Sequence, residues 1–310
     1  MKQLDYKKVF NVLVEETKNY LLDNNLKAMI LGISGGIDST VTAAICYEVS
    51  KQTGIPLIGR SLPIKNKEDE FDTSKLVGEA FCTDFKVVNL IDNFNDFIIT
   101  IQNAETKYGI FEGSWIQTPI ANGNIQARLR MIYLYNLASL YKGLVMSTDN
   151  QTEYQLGFFT LHGDVGDFDP LQDLWKTEVY GLAEWLSNYY KKQLPTITSA
   201  EEKLKYCKMY EAINESIDLT PTDGLGISNS DLEQIGANSY VEVDTILKDF
   251  LAYNEIFSAT NKKLNVDSYL KCNTLIHLNQ KMVKKVLNRH LASEFKRKNL
   301  PIYIERKTYE

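Results

Sequence analysis

The residues with the clearest chemical potential in this sequence are Ser34-Gly35-Gly36-Ile37-Asp38-Ser39. Two adjacent glycines reach backbone angles closed to other residues. Successive N–H groups can therefore turn inward and form a concave anion site where a helix begins. Phosphate suits such a site. The Walker A pattern of GTPases and kinases requires a Lys immediately before the Ser or Thr, and Asp38 stands there instead, so that class is excluded. A carboxylate beside phosphates makes sense mainly as a ligand of Mg²⁺. Without further signals, a Gly-Gly turn is equally well read as a tight connection.

The flanking sequence supplies the elements that would position the loop. Lys27 to Ile33 is a short apolar run of strand length, and Asp38 to Ser50 reads as a helix, which makes strand, glycine turn, helix. Upstream, Tyr6, Val9, Leu13, Val14, Thr17, Tyr20 and Leu21 mark one face of an amphipathic helix. Downstream, strands are expected at Pro56–Leu62, Phe85–Leu90 and Gly143–Ser147, with helices over Asp69–Phe81 and from near Asn124 to Tyr141. Strands alternating with helices imply right-handed βαβ units, hence an α/β fold with a doubly wound parallel sheet and helices on both faces. The rest reads as mostly helical, without repeats, low-complexity linkers or a domain boundary, so residues 1–310 are read as a single domain.

Composition sets further bounds. The 310 residues are 44% hydrophobic and 24% charged, as in an ordinary globular protein, with room for a sizeable core. No apolar stretch approaches the roughly 18 residues of a membrane span, and Met1 to Tyr6 run into charged, periodic sequence; the expectation is a cytoplasmic protein without a membrane partner. Cys46, Cys82, Cys207 and Cys272 have neither metal-site nor disulfide spacing and read as small apolar groups. A net charge of −6 with intermixed signs offers no broad basic face, so no nucleic-acid partner is expected.

In this context Ser-Gly-Gly-x-Asp-Ser resembles the pyrophosphate loop of the Rossmann-like N-type ATP pyrophosphatases, which adenylate a substrate oxygen and then let a nucleophile displace AMP. Within that superfamily, Gly123-Asn124-Ile125-Gln126-Ala127-Arg128-Leu129-Arg130-Met131 is similar to a signature of NAD synthetases. Ser147-Thr148-Asp149-Asn150-Gln151-Thr152-Glu153, Gly157-Phe158-Phe159-Thr160 and Gly163-Asp164-Val165-Gly166-Asp167 are similar to further segments of the same family. These motifs span Leu31 to Lys176, with weaker similarity beyond.

The resemblance implies residue roles. Asp38 and Glu153 would hold Mg²⁺. Ser34, Gly35, Gly36, Ile37 and Ser39 would wrap the leaving pyrophosphate, and Thr148, Lys176 and Thr222 would contact ATP. Asn124, Arg128, Asp167 and Lys296 would bind deamido-NAD, with Arg130 either a second contact or a helix-surface cation. Asp38, Lys176 and Asp231 are the expected catalytic set, Asp231 handling protons of the incoming ammonia. The expected reaction is ATP-dependent amidation of deamido-NAD by ammonia, giving NAD, AMP and pyrophosphate. With only 33 residues before Ser34, no glutamine-hydrolysing domain is expected. The family also implies a homodimer, for which the apolar helix from Arg128 to Tyr141 offers either an interface or a core element.

Two positions depart from the family pattern. Leu161 stands where a Lys is usual, and Phe295-Lys296-Arg297 replaces His-Lys-Arg. Both bear on the acceptor and leave the ATP half intact. Nicotinate mononucleotide or another carboxylate is therefore an alternative acceptor, and a tRNA- or small-molecule-modifying ligase is an alternative function. A nucleotide-binding protein without catalysis is the third reading, disfavoured because Asp38, Glu153 and Lys176 are all present.

Overall fold

The computed structural model describes residues 4–64, 68–107, 118–221, 230–258, 265–272 and 275–298. Helix α1 (Tyr6–Asp23) is the amphipathic helix read from the sequence, with the Asp5 carboxylate accepting from the Lys8 N–H at its start. Then follow β1 (Met29–Gly32), α2 (Ile37–Thr53), β2 (Leu57–Ser61), α3 (Glu68–Phe81), β3 (Asp84–Val87), α4 (Ile91–Lys107), α5 (Pro119–Tyr141) and β4 (Leu144–Met146). The four strands form one parallel sheet in the order β3-β2-β1-β4, with Met29 opposite both Leu57 and Leu144.

Apolar residues occur at consecutive strand positions because both faces are covered. Met29, Leu31, Leu57, Leu144 and Met146 pack with residues of α1, α2, α3, α7 (Lys176–Gln193) and α8 (Ala200–Asp218). Ala28, Ile30, Ile58 and Val145 face α4 and α5. This is the doubly wound α/β arrangement expected. The chain leaves β1 for β2 on one side while β4 docks on the other, so the carboxyl ends of β1 and β4 flank the crevice where open α/β sheets bind ligands.

A third apolar cluster lies beyond the sheet. Leu156 at the end of α6 (Gln151–Leu156) packs with α9 (Asp231–Ile235), α10 (Tyr240–Ser258), α11 (Val266–Cys272) and α12 (Gln280–Ala292), and a short 3₁₀ helix (Glu294–Arg297) follows. Among the described residues no helix is long and apolar enough to cross a membrane.

Several boundaries differ from the sequence reading by one to five residues, and two of the differences have a plain local cause. Helix α5 begins at Pro119 instead of Asn124, because Thr118 accepts a hydrogen bond from the Ala121 N–H and Pro119 supplies a preset helical φ. Strand β3 ends at Val87, not Leu90, since its pairing with β2 runs only from Ile58–Asp84 to Ser61–Val87. Of the cysteines, Cys46 is buried, Cys82 and Cys207 are half-buried, and all three are free thiols.

Candidate active site

The glycine turn closes β1 onto α2, whose amino end carries the unpaired N–H groups and positive dipole that attract phosphate. Gly35 has φ +90°, and a Cβ there would lie 2.6 Å from the Glu70 carbonyl oxygen; only glycine allows α3 to pack this close. The loop is held by its own serines. Ser39 Oγ donates to the Gly36 carbonyl, and the hydroxyls of Ser34 and Ser39 are 3.0 Å apart.

Three helix starts converge above this loop. Asp38 lies in the first turn of α2, Glu153 in that of α6, and Lys176 opens α7. Lys176 Nζ donates to Asp38 Oδ2 at 2.5 Å and to Glu153 Oε1 at 2.9 Å, with its side chain only 2% exposed. A cation at a helix amino end opposes the helix dipole, and burial also disfavours the charge. The two carboxylates outweigh both and hold the Lys176 pKa well above its usual value. Burial, then the Asp38 carboxylate, push Glu153 up to about 8 against the pull of Lys176. Asn150 fixes the other side: its Nδ2 donates to Asp38 Oδ1 at 2.8 Å, and its Oδ1 accepts from the Glu153 N–H.

Asp38 and Glu153 thus aim at one point now held by an ammonium, which is the donor set expected of an Mg²⁺ site. Among the described residues no three His, Cys, Asp or Glu side chains are grouped to hold a metal by themselves. Mg²⁺ does not need such a cage. It binds through one or two carboxylates and completes its shell with phosphate oxygens and water. The residues present fit that ion.

Ser34, Gly36, Ile37, Asp38, Thr148, Glu153, Lys176 and Asp231 all line one cavity of about 300 Å³. Asp231 is buried and accepts a hydrogen bond from Tyr240 Oη at 3.2 Å. Tyr240 also lays its ring 5.6 Å from Lys176 Nζ. Ser39 and Gly35 support this wall from behind, and Thr222 lies outside the described residues.

A second cavity, of about 810 Å³, adjoins the first at Met131, which lines both. Arg128, Lys296, Tyr154, Phe159 and Leu161 line it, as does Asp149 in the loop between β4 and α6. Tyr154 and Phe159 stack nearly parallel, 9° apart in plane. The Arg128 guanidinium donates to the Leu161 carbonyl at 3.0 Å. Lys296 reaches this cavity, but its ammonium donates to the carbonyls of Gly157 and Phe159 and so holds the wall in place. Phe295 is 52% exposed and lines neither cavity. Burial raises the pKa of Asp149 well above the carboxylate range, and the Asp164 and Asp169 carboxylates add to the effect.

Two expected acceptor contacts stand apart. Asn124 accepts from Thr160 Oγ1 at 2.9 Å and lines neither cavity. Asp167 lies on the far side of Tyr135, where its carboxylate accepts from Tyr135 Oη and from the Val145 N–H. Arg130 lines the first cavity and donates from Nε to the Leu62 carbonyl, so it faces the site instead of solvent. The sequence reading missed Asn150 and Tyr240. Asn150 lay inside a recognised motif, whereas nothing near Tyr240 in the chain marked it.

The NAD synthase family model matches residues 9–300. An NH(3)-dependent NAD(+) synthetase of Thermoplasma acidophilum is 32% identical over 262 residues, covering 79% of this chain and 91% of that protein. One of Finegoldia magna is 33% identical over 184 residues, 59% of this chain and 70% of the relative. The solved structure of an NMN synthetase from Francisella tularensis superimposes with a TM-score of 0.69 at 23% identity, covering 98% of this chain and all of that one, a likeness of fold. A family match over nearly the whole chain, on a parallel sheet and glycine turn of the expected form, establishes that this protein belongs to the NAD synthase family.

Proposed function

We propose that the protein amidates deamido-NAD with ammonia at the expense of ATP, giving NAD, AMP and pyrophosphate. The observation that carries this reading is the convergence of Asp38, Glu153 and Lys176 over the phosphate loop, at the edge of a second cavity that meets the first at Met131. ATP would lie in the first cavity with its phosphates at the start of α2. The acceptor would lie in the second, its carboxylate at the junction.

In the first step a nicotinate carboxylate oxygen bonds to the α-phosphorus, and the bond from that phosphorus to pyrophosphate breaks. The N–H groups at the start of α2, with the Ser34 hydroxyl, would receive the charge that develops on the leaving group, while Ser39 braces the loop from behind. Lys176 sits where it can turn from its two carboxylates to a phosphate oxygen. Asp38 and Glu153 would hold Mg²⁺, which when bound draws electron density from the phosphate oxygens. In the second step ammonia attacks the acyl carbon, AMP leaves as the C–O bond breaks, and a proton is lost. Asp231 lines the first cavity and is the carboxylate we assign to that proton.

The acceptor cavity also supports nicotinate mononucleotide as an alternative acceptor. The apolar Leu161 in its wall supplies no charge for the distal phosphate of a dinucleotide. We further infer a homodimer. Ile132 and Leu140 of α5 are 67% and 69% exposed, and Ile132 is continuous with the second cavity, so a second copy would cover both.

The test is product analysis after incubating the protein with Mg-ATP, ammonium and either acceptor. Equal amounts of NAD, AMP and pyrophosphate from deamido-NAD support the reading. Amidation of nicotinate mononucleotide alone changes the acceptor, and no amide from either refutes it.

A further inference from the structure

Asp244 lines neither of the two cavities described above, yet it is 2% exposed and its carboxylate is hydrogen-bonded to Thr152 and Thr177, the neighbours in sequence of Glu153 and Lys176. It lies one helical turn beyond Tyr240 on α10, so both side chains leave the same face of that helix. Asp244 Oδ1 accepts from Thr152 Oγ1 at 2.5 Å. Oδ2 accepts from the Thr177 N–H at 3.0 Å and from Thr177 Oγ1 at 2.7 Å. Thr152 Oγ1 in turn accepts from the Lys176 N–H at 2.9 Å.

Thr152 immediately precedes Glu153, and Thr177 immediately follows Lys176. Helix α7 starts after Trp175, whose indole cannot accept a hydrogen bond, so its first N–H groups lack the usual side-chain cap from the residue that precedes the helix. Asp244 supplies that cap from another helix, directly to Thr177 and through Thr152 to Lys176. One carboxylate thereby ties the first turn of α6 to the first turn of α7.

We propose that Asp244 is a positioning residue of the phosphate centre: it sets the spacing between Glu153 and Lys176 and so the affinity for Mg-ATP. The inference rests on the proposed reading of this site as an Mg-ATP centre. All three hydrogen bonds to the carboxylate are donated to it, so an amide, which can accept with only one of its two ends, loses at least one of them as it stands and disturbs a helix start. Groups that orient metal ligands in this way commonly change affinity by about 10–100-fold when altered.

The variants are Asp244→Asn and Thr152→Val, the second keeping the carboxylate while cutting the link to the Lys176 N–H. Calorimetry measures Mg-ATP binding to the folded protein, and thermal unfolding of the unliganded protein measures stability separately. Both variants are expected to raise the Mg-ATP Kd at least tenfold and to leave acceptor affinity nearly unchanged. A lowered unfolding midpoint with an unchanged Kd would mean a purely structural brace and would overturn the proposal. If Asp244→Asn does not fold, Thr152→Val decides alone: a wild-type Kd refutes the positioning role. Product analysis of the wild type runs alongside. Absence of amide from either acceptor there sinks the functional reading, whereas an active wild type with unaffected variants sinks only this one.

Discussion

Gly35 and Gly36 are adjacent in one motif, yet the structure assigns them different failures. At Gly35 the φ of +90° is strained for any side chain, and a Cβ would sit 2.6 Å from the Glu70 carbonyl oxygen and 2.9 Å from the Ser74 nitrogen. Both atoms are backbone of α3, so no side chain can rotate away. The backbone conformation costs about 1–3 kcal/mol, and the forced separation of loop and helix about 1–3 kcal/mol more. Gly35→Ala should therefore destabilise the protein by about 2–6 kcal/mol, or roughly 4–12 °C in unfolding midpoint for a chain of this length. At Gly36 φ is −66°, and a Cβ would meet only Ser34 Oγ at 3.4 Å, so Gly36→Ala should cost about 1 kcal/mol or less. That methyl would instead stand in the cavity wall where phosphates are expected, weakening Mg-ATP binding about tenfold or more. Thermal unfolding and calorimetry on both variants provide the assay. If Gly35→Ala melts with the wild type, or Gly36→Ala proves the less stable of the two, the argument from loop geometry is wrong.

Lys176→Met should lower kcat/KM about 10²–10³-fold, and it should destabilise the unliganded protein more at pH 8 than at pH 5, because Asp38 and Glu153 then face each other without their cation. Glu153, with its pKa near 8, must lose a proton to hold a metal, so Mg-ATP affinity should rise with pH up to about 8. The same group makes the unliganded protein less stable as pH climbs from its ordinary carboxylate value toward 8, since the folded state binds the proton more tightly. Proton release on Mg-ATP binding, read by calorimetry in buffers of different ionisation enthalpy, checks both signs. Lys296→Met should leave the Gly157 and Phe159 carbonyls without this donor, raising the acceptor KM about tenfold with little change in the KM for ATP. A parallel rise in both constants would count against that placement.

What the sequence determined was local. Two glycines, a carboxylate and two serines within six residues specify a tight strand-to-helix turn of a form that suits phosphate, because the responsible angles and hydrogen bonds all form within one or two turns. Likewise, consecutive apolar strand residues alternating with helical stretches imply a sheet covered on both faces, which Met29, Ile30 and Leu31 realise by pointing to opposite sides. The start of α5 was legible too, in Thr118-Pro119, a signal the periodicity of the following residues obscured.

Only the tertiary structure decided what meets what. Lys176 and Asp38 are 138 positions apart, and their contact depends on β4 docking beside β1 so that the amino ends of α2, α6 and α7 converge. Arg130 faces the cavity, Asp167 braces Tyr135 and Val145, and Lys296 caps carbonyls of the cavity wall. Nothing near these residues in the chain distinguishes such placements from surface positions. The role inferred for Asp244 is the extreme case, a carboxylate whose partners, Thr152 and Thr177, lie 92 and 67 residues away. A residue's type and close neighbours fix its chemistry and local backbone, whereas strand order and helix packing fix which charges share a buried space.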